Sequence, residues 1–501
     1  MQEITVSVHE NEILPKLCWV LEYKPGSQTA EINVGSCVEI FRDSMVEGCW
    51  DGEFSEHEFE NANLFGSAIR WRKNKIQIWG SISLTDRICY AIDSGTLIFS
   101  NSLFAVMAKI DARFDSSVNY YRVSYAPLAG IATYPTRIPV DHKTIREVHQ
   151  LFHQDVEVGI GGELRILCKT EAENFSSFKD YEKRVSNVVS KIVKNIGSEE
   201  RQYPVIPYVT LSSGYDSTAV AALAKDAGVS RALLCTKPRS IFFDLFGDRF
   251  VDDGTKAGEA LNLSIEYVNA RDYEVDEDEI LYVAPSSSTP EVSFLPMAKY
   301  LEQQNTLSAV FTGNYGGIVW DKNIGEKYVN DSLIRSDMAG INVSEARLKT
   351  GFFNVSIPFC FARSMESIIA IGRSEEMSDW SIGGNYDRPI ARRIAEERGI
   401  PREAFGLRKR AIIDRYAEPR NSILADDFRS FMKLQRGSAL PPFFFLKWRY
   451  FLSSTVGRRI KLLTVASRSY NDLSYWMWFW AASRCIDCYK KMIGNSKRYG
   501  D

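Results

Sequence analysis

Histidine is scarce and one-sided. The five residues are His9, His57, His142, His149 and His153, and none follows position 153. This excludes a Ser-His-Asp hydrolase or a histidine-based metal site confined to the later part of the chain. Acid–base work there falls to Lys, Asp, Glu, Tyr or Cys. Long apolar runs are also missing: no stretch reaches about 18 consecutive apolar residues, so no ordinary transmembrane helix is expected. The most apolar segment, Tyr475-Trp476-Met477-Trp478-Phe479-Trp480-Ala481-Ala482, is too short to span. It reads as a helix face buried in the core, with a partner or membrane-surface patch as the rival. The acidic start, Met1-Gln2-Glu3, has no apolar h-region, so no signal peptide is expected. Nine scattered cysteines, an odd number, then read as reduced thiols in a cytoplasmic protein. Cys485 and Cys488 lack a second Cys or His pair nearby, which argues against zinc.

What is present is an ordinary globular composition. The 501 residues are 45% hydrophobic and 25% charged, and their length corresponds to two or three domains. A formal net charge of −3 conceals an asymmetry. From Arg402 to Asp501 there are 20 Lys and Arg against 8 Asp and Glu, so a basic last fifth follows an acidic body. Such an imbalance marks a candidate anion-binding surface.

Residues 1 to about 165 read as β-rich. Alternating runs occur at Leu17–Tyr23, Cys37–Phe41, Lys75–Ile82, Ile88–Ile92 and Thr96–Ser100, and Val156–Leu167 reads as a hairpin. The pattern changes near 168/169, where a boundary divides domains 1–168 and 169–501. Phe178–Ile196 has helical apolar spacing. Strand-like runs then alternate with helices: Val205–Leu211, Ala232–Thr236, Ile265–Val268 and Ala309–Thr312. This alternation predicts a mostly parallel sheet whose ligands sit at the carboxyl ends of the strands. From about Ala339 the chain reads as helical, with Pro358–Ile371 and Pro389–Arg398 as amphipathic candidates.

One turn carries chemistry: Leu211-Ser212-Ser213-Gly214-Tyr215-Asp216-Ser217-Thr218, between an apolar strand and an Ala-rich helix. Backbone N–H groups and the helix dipole favour an anion there, and Ser212, Ser213, Ser217 and Thr218 add hydroxyls. Gly214 is read as a position where a Cβ would obstruct. The turn lacks the Gly-Lys-Ser/Thr of a Walker A loop. An Asp within a phosphate cradle repels phosphate unless a cation intervenes, so Asp216 is expected to hold Mg²⁺. The plain structural alternative makes Asp216 the N-cap of its helix.

Ser212-Ser213-Gly214-Tyr215-Asp216-Ser217 resembles the pyrophosphate (PP) loop of the ATP pyrophosphatases, usually Ser-Gly-Gly-x-Asp-Ser. The asparagine synthetase group, with its β-lactam synthetases, is the nearest match in that superfamily. The run Cys89–Leu103 is similar to the end of their N-terminal domain. Thr312-Gly313-Asn314-Tyr315-Gly316-Gly317 lies where they carry a second Gly-rich loop. Gly383-Gly384-Asn385-Tyr386-Asp387-Arg388-Pro389, on to Gly406–Ala411, is similar to their helical C-terminal part. The resemblance implies a degenerate N-terminal-nucleophile β domain, then a five-stranded parallel PP-loop sheet with a helical C-terminal region. It implies ATP and Mg²⁺ as cofactors. Leu211–Gly214, Asp216–Thr218, Thr236, Gly313 and Asn314 would line the nucleotide site, with Asp216 and Asp321 on the metal. Asp216 and Lys409 would be catalytic, Lys409 stabilising developing negative charge. Asp252 and Asp253 either face the nucleotide or merely start a helix. Tyr386, Asp387 and Arg388 either line the substrate pocket or, for the last two, form a structural pair.

Three departures qualify it. Residue 2 is Gln2, so the N-terminal Cys nucleophile of glutamine-hydrolysing members is missing. Gly317, Ile318 and Val319 stand where the family places acidic residues, with Asp321 a few positions late. Asn354-Val355-Ser356-Ile357-Pro358-Phe359 replaces the family's charged run, which argues against aspartate as substrate. The resemblance therefore implies an ATP-dependent, AMP-forming amide ligase without glutaminase activity. Its partners would be ATP, a carboxylate and a small-molecule or protein amine, with neither membrane nor nucleic acid involved and a homodimer compatible. A 7-cyano-7-deazaguanine synthase-like enzyme is the second reading, and a catalytically inactive nucleotide-binding scaffold the third.

Overall fold

A computed structural model describes residues 4–72, 74–120, 131, 136–169, 173–236, 252–285, 294–331, 333, 339–404, 418–434 and 473–495. Among the described residues the protein is a mixed α/β structure with three sheets of seven, six and five strands. The first two are built from residues of the N-terminal third and face one another. Trp19, Leu21, Ile32 and Phe99 of the seven-stranded sheet share a core with Met45, Ile69, Ile78 and Val156 of the six-stranded sheet. Pairing is antiparallel except between Thr5–Glu10 and Thr29–Val34, which run parallel. The anticipated hairpin near 156–167 forms as Gln154–Gly159 paired with Leu164–Cys168. Cys37–Phe41 contributes only the two-residue strand Glu39–Ile40.

The third sheet is wholly parallel, in the spatial order Ser264–Asn269, Arg231–Thr236, Val205–Leu211, Leu307–Thr312, Phe352–Ser356. Chain progression runs outward from Val205–Leu211 to one side, then returns to its other side. Val205–Leu211 and Leu307–Thr312 therefore flank a topological switch point, the place where open parallel sheets bind their ligands. Helices Phe178–Ile196, Tyr215–Asp226 and Pro389–Glu396 pack together here, with Tyr215–Asp226 against both central strands.

The fifth strand, Phe352–Ser356, corrects the expectation of a helical region from Ala339 onward. It is five residues long and wholly buried, so no alternation of exposure marks it. Gly351 stops the preceding helix, Ser344–Thr350, in the left-handed region at φ 88°, the common helix C-terminal stop. Pro358–Ile371 is also not one helix. Two 3₁₀ turns precede the helix Met365–Arg373.

Tyr475–Trp480 lies in the helix Leu473–Asn495 and is buried, packed on the helix Leu103–Lys109 and on Phe114 and Tyr120. The aromatic run is core, not an exposed patch. Among the described residues no helix is long and apolar enough to cross a membrane.

Candidate functional site

The Ser212–Thr218 turn leaves the central strand at the switch point, and Gly214 is the N-cap of the helix Tyr215–Asp226. Asp216 thus lies in the first turn rather than capping the helix. The backbone at Gly214 is ordinary, with φ −78°. Its glycine matters through crowding: a Cβ would lie 3.1 Å from Ser212 Oγ and 3.5 Å from Tyr386 Oη.

The turn is braced from within. Ser212 Oγ accepts from the Gly214 N–H at 3.1 Å and contacts Ser217 Oγ at 2.6 Å. Thr218 is buried and donates its hydroxyl to the Gly214 carbonyl at 2.7 Å. Asp252 accepts from both the N–H and the hydroxyl of Ser213, at 2.7 and 2.6 Å. Asp252 therefore holds the loop, while Asp253 accepts from Thr255 N–H and starts the next helix. Leu211, Ser213 and Thr218 are buried supports, whereas Ser212, Gly214, Asp216 and Ser217 keep partial access to solvent. The N–H groups of the first helical turn have no intrahelical partner and are the donors the helix offers an anion. Thr236 ends the neighbouring strand.

The second Gly-rich loop leaves the adjacent strand, Leu307–Thr312, and locks onto the first, backbone against backbone. A Cβ at Gly313 would stand 2.6 Å from the Asp216 carbonyl carbon and from the Ser217 nitrogen. One at Gly316 would stand 2.8 Å from Asp216 Cβ. Between them Tyr315 sits at φ 74°, a left-handed conformation a tyrosine rarely adopts, with its ring stacked 4.3 Å from Phe359. Asn314 is half-buried beside this turn. At the end of the same strand, Thr312 bonds Asn354 at 3.1 Å and Ser356 at 2.9 Å. Asn354 and Ser356 are thus both held by the hydroxyl of Thr312.

The third component comes from the segment before Pro389. Arg388, 4% exposed, pairs with Asp216 and lies 4.6 Å from the centre of the Tyr386 ring. Tyr386 stacks on Tyr215 at 5.0 Å, and burial pushes its hydroxyl up to about 12. Asp387 turns away. It accepts from Ser381 Oγ, the N–H groups of Ile382 and Gly383, and Lys322 Nζ at 3.1 Å. Although burial opposes it, these donors hold its carboxyl below the usual range. Arg388 and Asp387 are therefore not a pair. Each has a different partner, and only Arg388 belongs to the site.

These residues do not fit a protein-held Mg²⁺. Asp216 is already neutralised by a guanidinium. Asp321 accepts from the N–H of Asn323 at 3.0 Å, within its own turn. Among the described residues no group of three Asp, Glu, His or Cys side chains is placed to hold a metal ion. Lys409 lies outside the described residues.

The ion pair between Asp216 and Arg388 was beyond sequence reading, because 172 residues separate them. Its signal was the electrostatic need of Asp216 for a cation. No protein-family model and no curated protein matches the chain.

Proposed function

We propose that the protein is an ATP-dependent, AMP- and pyrophosphate-forming ligase that adenylates a carboxylate and converts it to an amide, with no glutaminase activity of its own. One observation carries this reading. Two glycine-rich loops interlock at the switch point of a parallel sheet, and the one bearing Asp216 opens a helix there. Such a site suits a polyphosphate. Fixed N–H groups and hydroxyls stabilise charge that develops on the leaving group. A carboxylate oxygen would attack the α-phosphorus and pyrophosphate would leave. An amine would then attack the acyl carbon and expel AMP. Lys409 is assigned to the developing charge by the resemblance alone.

Cys18 is wholly buried, and burial and the nearby Glu345 push its thiol up. The amine would then come from ammonia or a second substrate.

The test is pyrophosphate release against a carboxylate library. Asp216→Asn, isosteric but uncharged, should lower the rate by about 10²-fold or more, read on protein shown by circular dichroism to be folded. Pyrophosphate release unchanged by Asp216→Asn, or no release with any carboxylate, would sink the enzyme reading. A nucleotide-binding scaffold is the second reading. It is favoured by Gly317, which leaves the second loop without a carboxylate. ATP binding in calorimetry without turnover is its signature.

A further inference from the structure

An aspartate inside a polyphosphate cradle poses an electrostatic problem. Two unit negative charges 4 Å apart repel by about 4 kcal/mol at an effective dielectric constant of 20, so a cation must stand between Asp216 and the ligand. That cation is already part of the chain. The Arg388 guanidinium is 4% exposed and pairs through Nη1 with Asp216 Oδ2. Tyr386 lies along its face. It fills the space at the second loop where a side chain is missing: a Cβ at Gly317 would lie 2.8 Å from Arg388 Nη2. Any carboxylate at position 317 would have to displace Nη2. The glycine and the arginine therefore go together. The guanidinium also retains bonding capacity, since its buried Nε–H has no hydrogen-bond partner among the described residues.

We propose that Arg388 is the resident cation of this site, standing where a divalent ion shared by Asp216 and a second-loop carboxylate would stand, so that polyphosphate is met by a guanidinium. This rests on reading the switch point as a polyphosphate site. Arg388 is charged at any accessible pH and presents a planar fork suited to phosphate oxygens. The protein then needs no metal of its own to accept the ligand. Arg388 and a divalent ion instead compete for Asp216.

Calorimetry with inorganic pyrophosphate, in EDTA and in Mg²⁺, tests this on the full chain. Wild type is expected to bind pyrophosphate in EDTA, with an affinity within about threefold of that in Mg²⁺. Arg388→Met should lose about tenfold or more in EDTA and recover part of it with Mg²⁺, a tenfold loss being about 1.4 kcal/mol. Arg388→Lys, which keeps the charge but not the fork, should fall between. Manganese titration followed by electron paramagnetic resonance should show tighter binding in Arg388→Met than in wild type.

Strictly Mg²⁺-dependent pyrophosphate binding by wild type would overturn the proposal, and needs no variant to fold. So would undiminished binding in EDTA by folded Arg388→Met. Wild type that binds ATP and pyrophosphate in neither buffer would remove the polyphosphate site itself, a distinct result.

Discussion

Asp216 shows how much a single residue can conceal. Its type, inside a Ser/Gly turn before a helix, announces an anion site that needs a cation. Nothing local tells which cation, because Arg388 arrives from another part of the chain. The glycines of the second loop have separate spatial reasons. Gly313 and Gly316 let the loop approach the backbone and Cβ of Asp216, and Gly317 leaves space for Arg388. Gly313→Ala places its Cβ 2.6 Å from main-chain atoms that cannot swing aside. It should cost about 1–3 kcal/mol of stability and weaken ATP binding, as read by denaturant melts and calorimetry. A variant with wild-type stability and affinity would show that the loops do not interlock.

His153 offers a second prediction at this scale. Its Nδ1 bonds the Ile82 carbonyl at 2.8 Å, and its buried Nε2 has no partner among the described residues. Burial, with Lys169 and Arg363 nearby, pushes its pKa down to about 3. The folded state thus refuses a proton that the unfolded chain takes up near pH 6.5. The contribution is complete above that pH and is lost as pH falls toward 3, amounting to about 3 kcal/mol between pH 6.5 and 4. His153→Asn keeps a donor and tolerates the backbone φ of 55°. It should flatten that acid limb in urea melts at the two pH values, whereas an unchanged slope would exclude His153 as its source.

Among the elements, legibility followed the environment of each strand. Val205–Leu211, Arg231–Thr236, Ser264–Asn269 and Leu307–Thr312 were marked by apolar runs bounded by turns and helices. Phe352–Ser356 was not, because Asn354 and Ser356 interrupt its apolar run, their side chains bonding Thr312 on the adjoining strand. Thr29–Val34 and Ser44–Cys49 were missed in the first sheets for another reason. Glu31, Asn33, Glu47 and Gly48 weaken their strand signal. Of the site, the first loop was legible from its order of strand, turn and helix. The bracing by Asp252, the packing of the glycines and the pairing of Arg388 depend on contacts between distant segments, which no local pattern encodes.

Across the whole molecule, a buried ionic cluster joins the N-terminal sheets to the parallel-sheet region. Arg347, from the helix before the fifth strand, bonds Glu47 at 2.7 and 3.2 Å and also bonds Asp86. Glu345, two residues earlier in that helix, accepts from Ser102 at 2.8 Å and from Tyr489 of the C-terminal helix at 3.1 Å. Arg347→Met would strand Glu47 and Asp86 in the interior and should cost about 3–5 kcal/mol, measured as a drop in unfolding midpoint. A shift below about 1 kcal/mol would mean that water reaches the cluster. The basic last fifth now has partial partners within the chain. Lys490 pairs with Asp111 and Arg402 with Glu396, so some of its excess charge is met by the acidic body of the chain.

The central claim is that polyphosphate binds at the switch point, on the Ser212–Thr218 turn and beside Arg388. A crystal structure with a non-hydrolysable ATP analogue tests it most directly. Phosphate oxygens are expected within hydrogen-bonding distance of the Ser212–Thr218 turn and of the Arg388 guanidinium. A nucleotide bound elsewhere, with Arg388 still paired to Asp216 and the switch point empty, would contradict it.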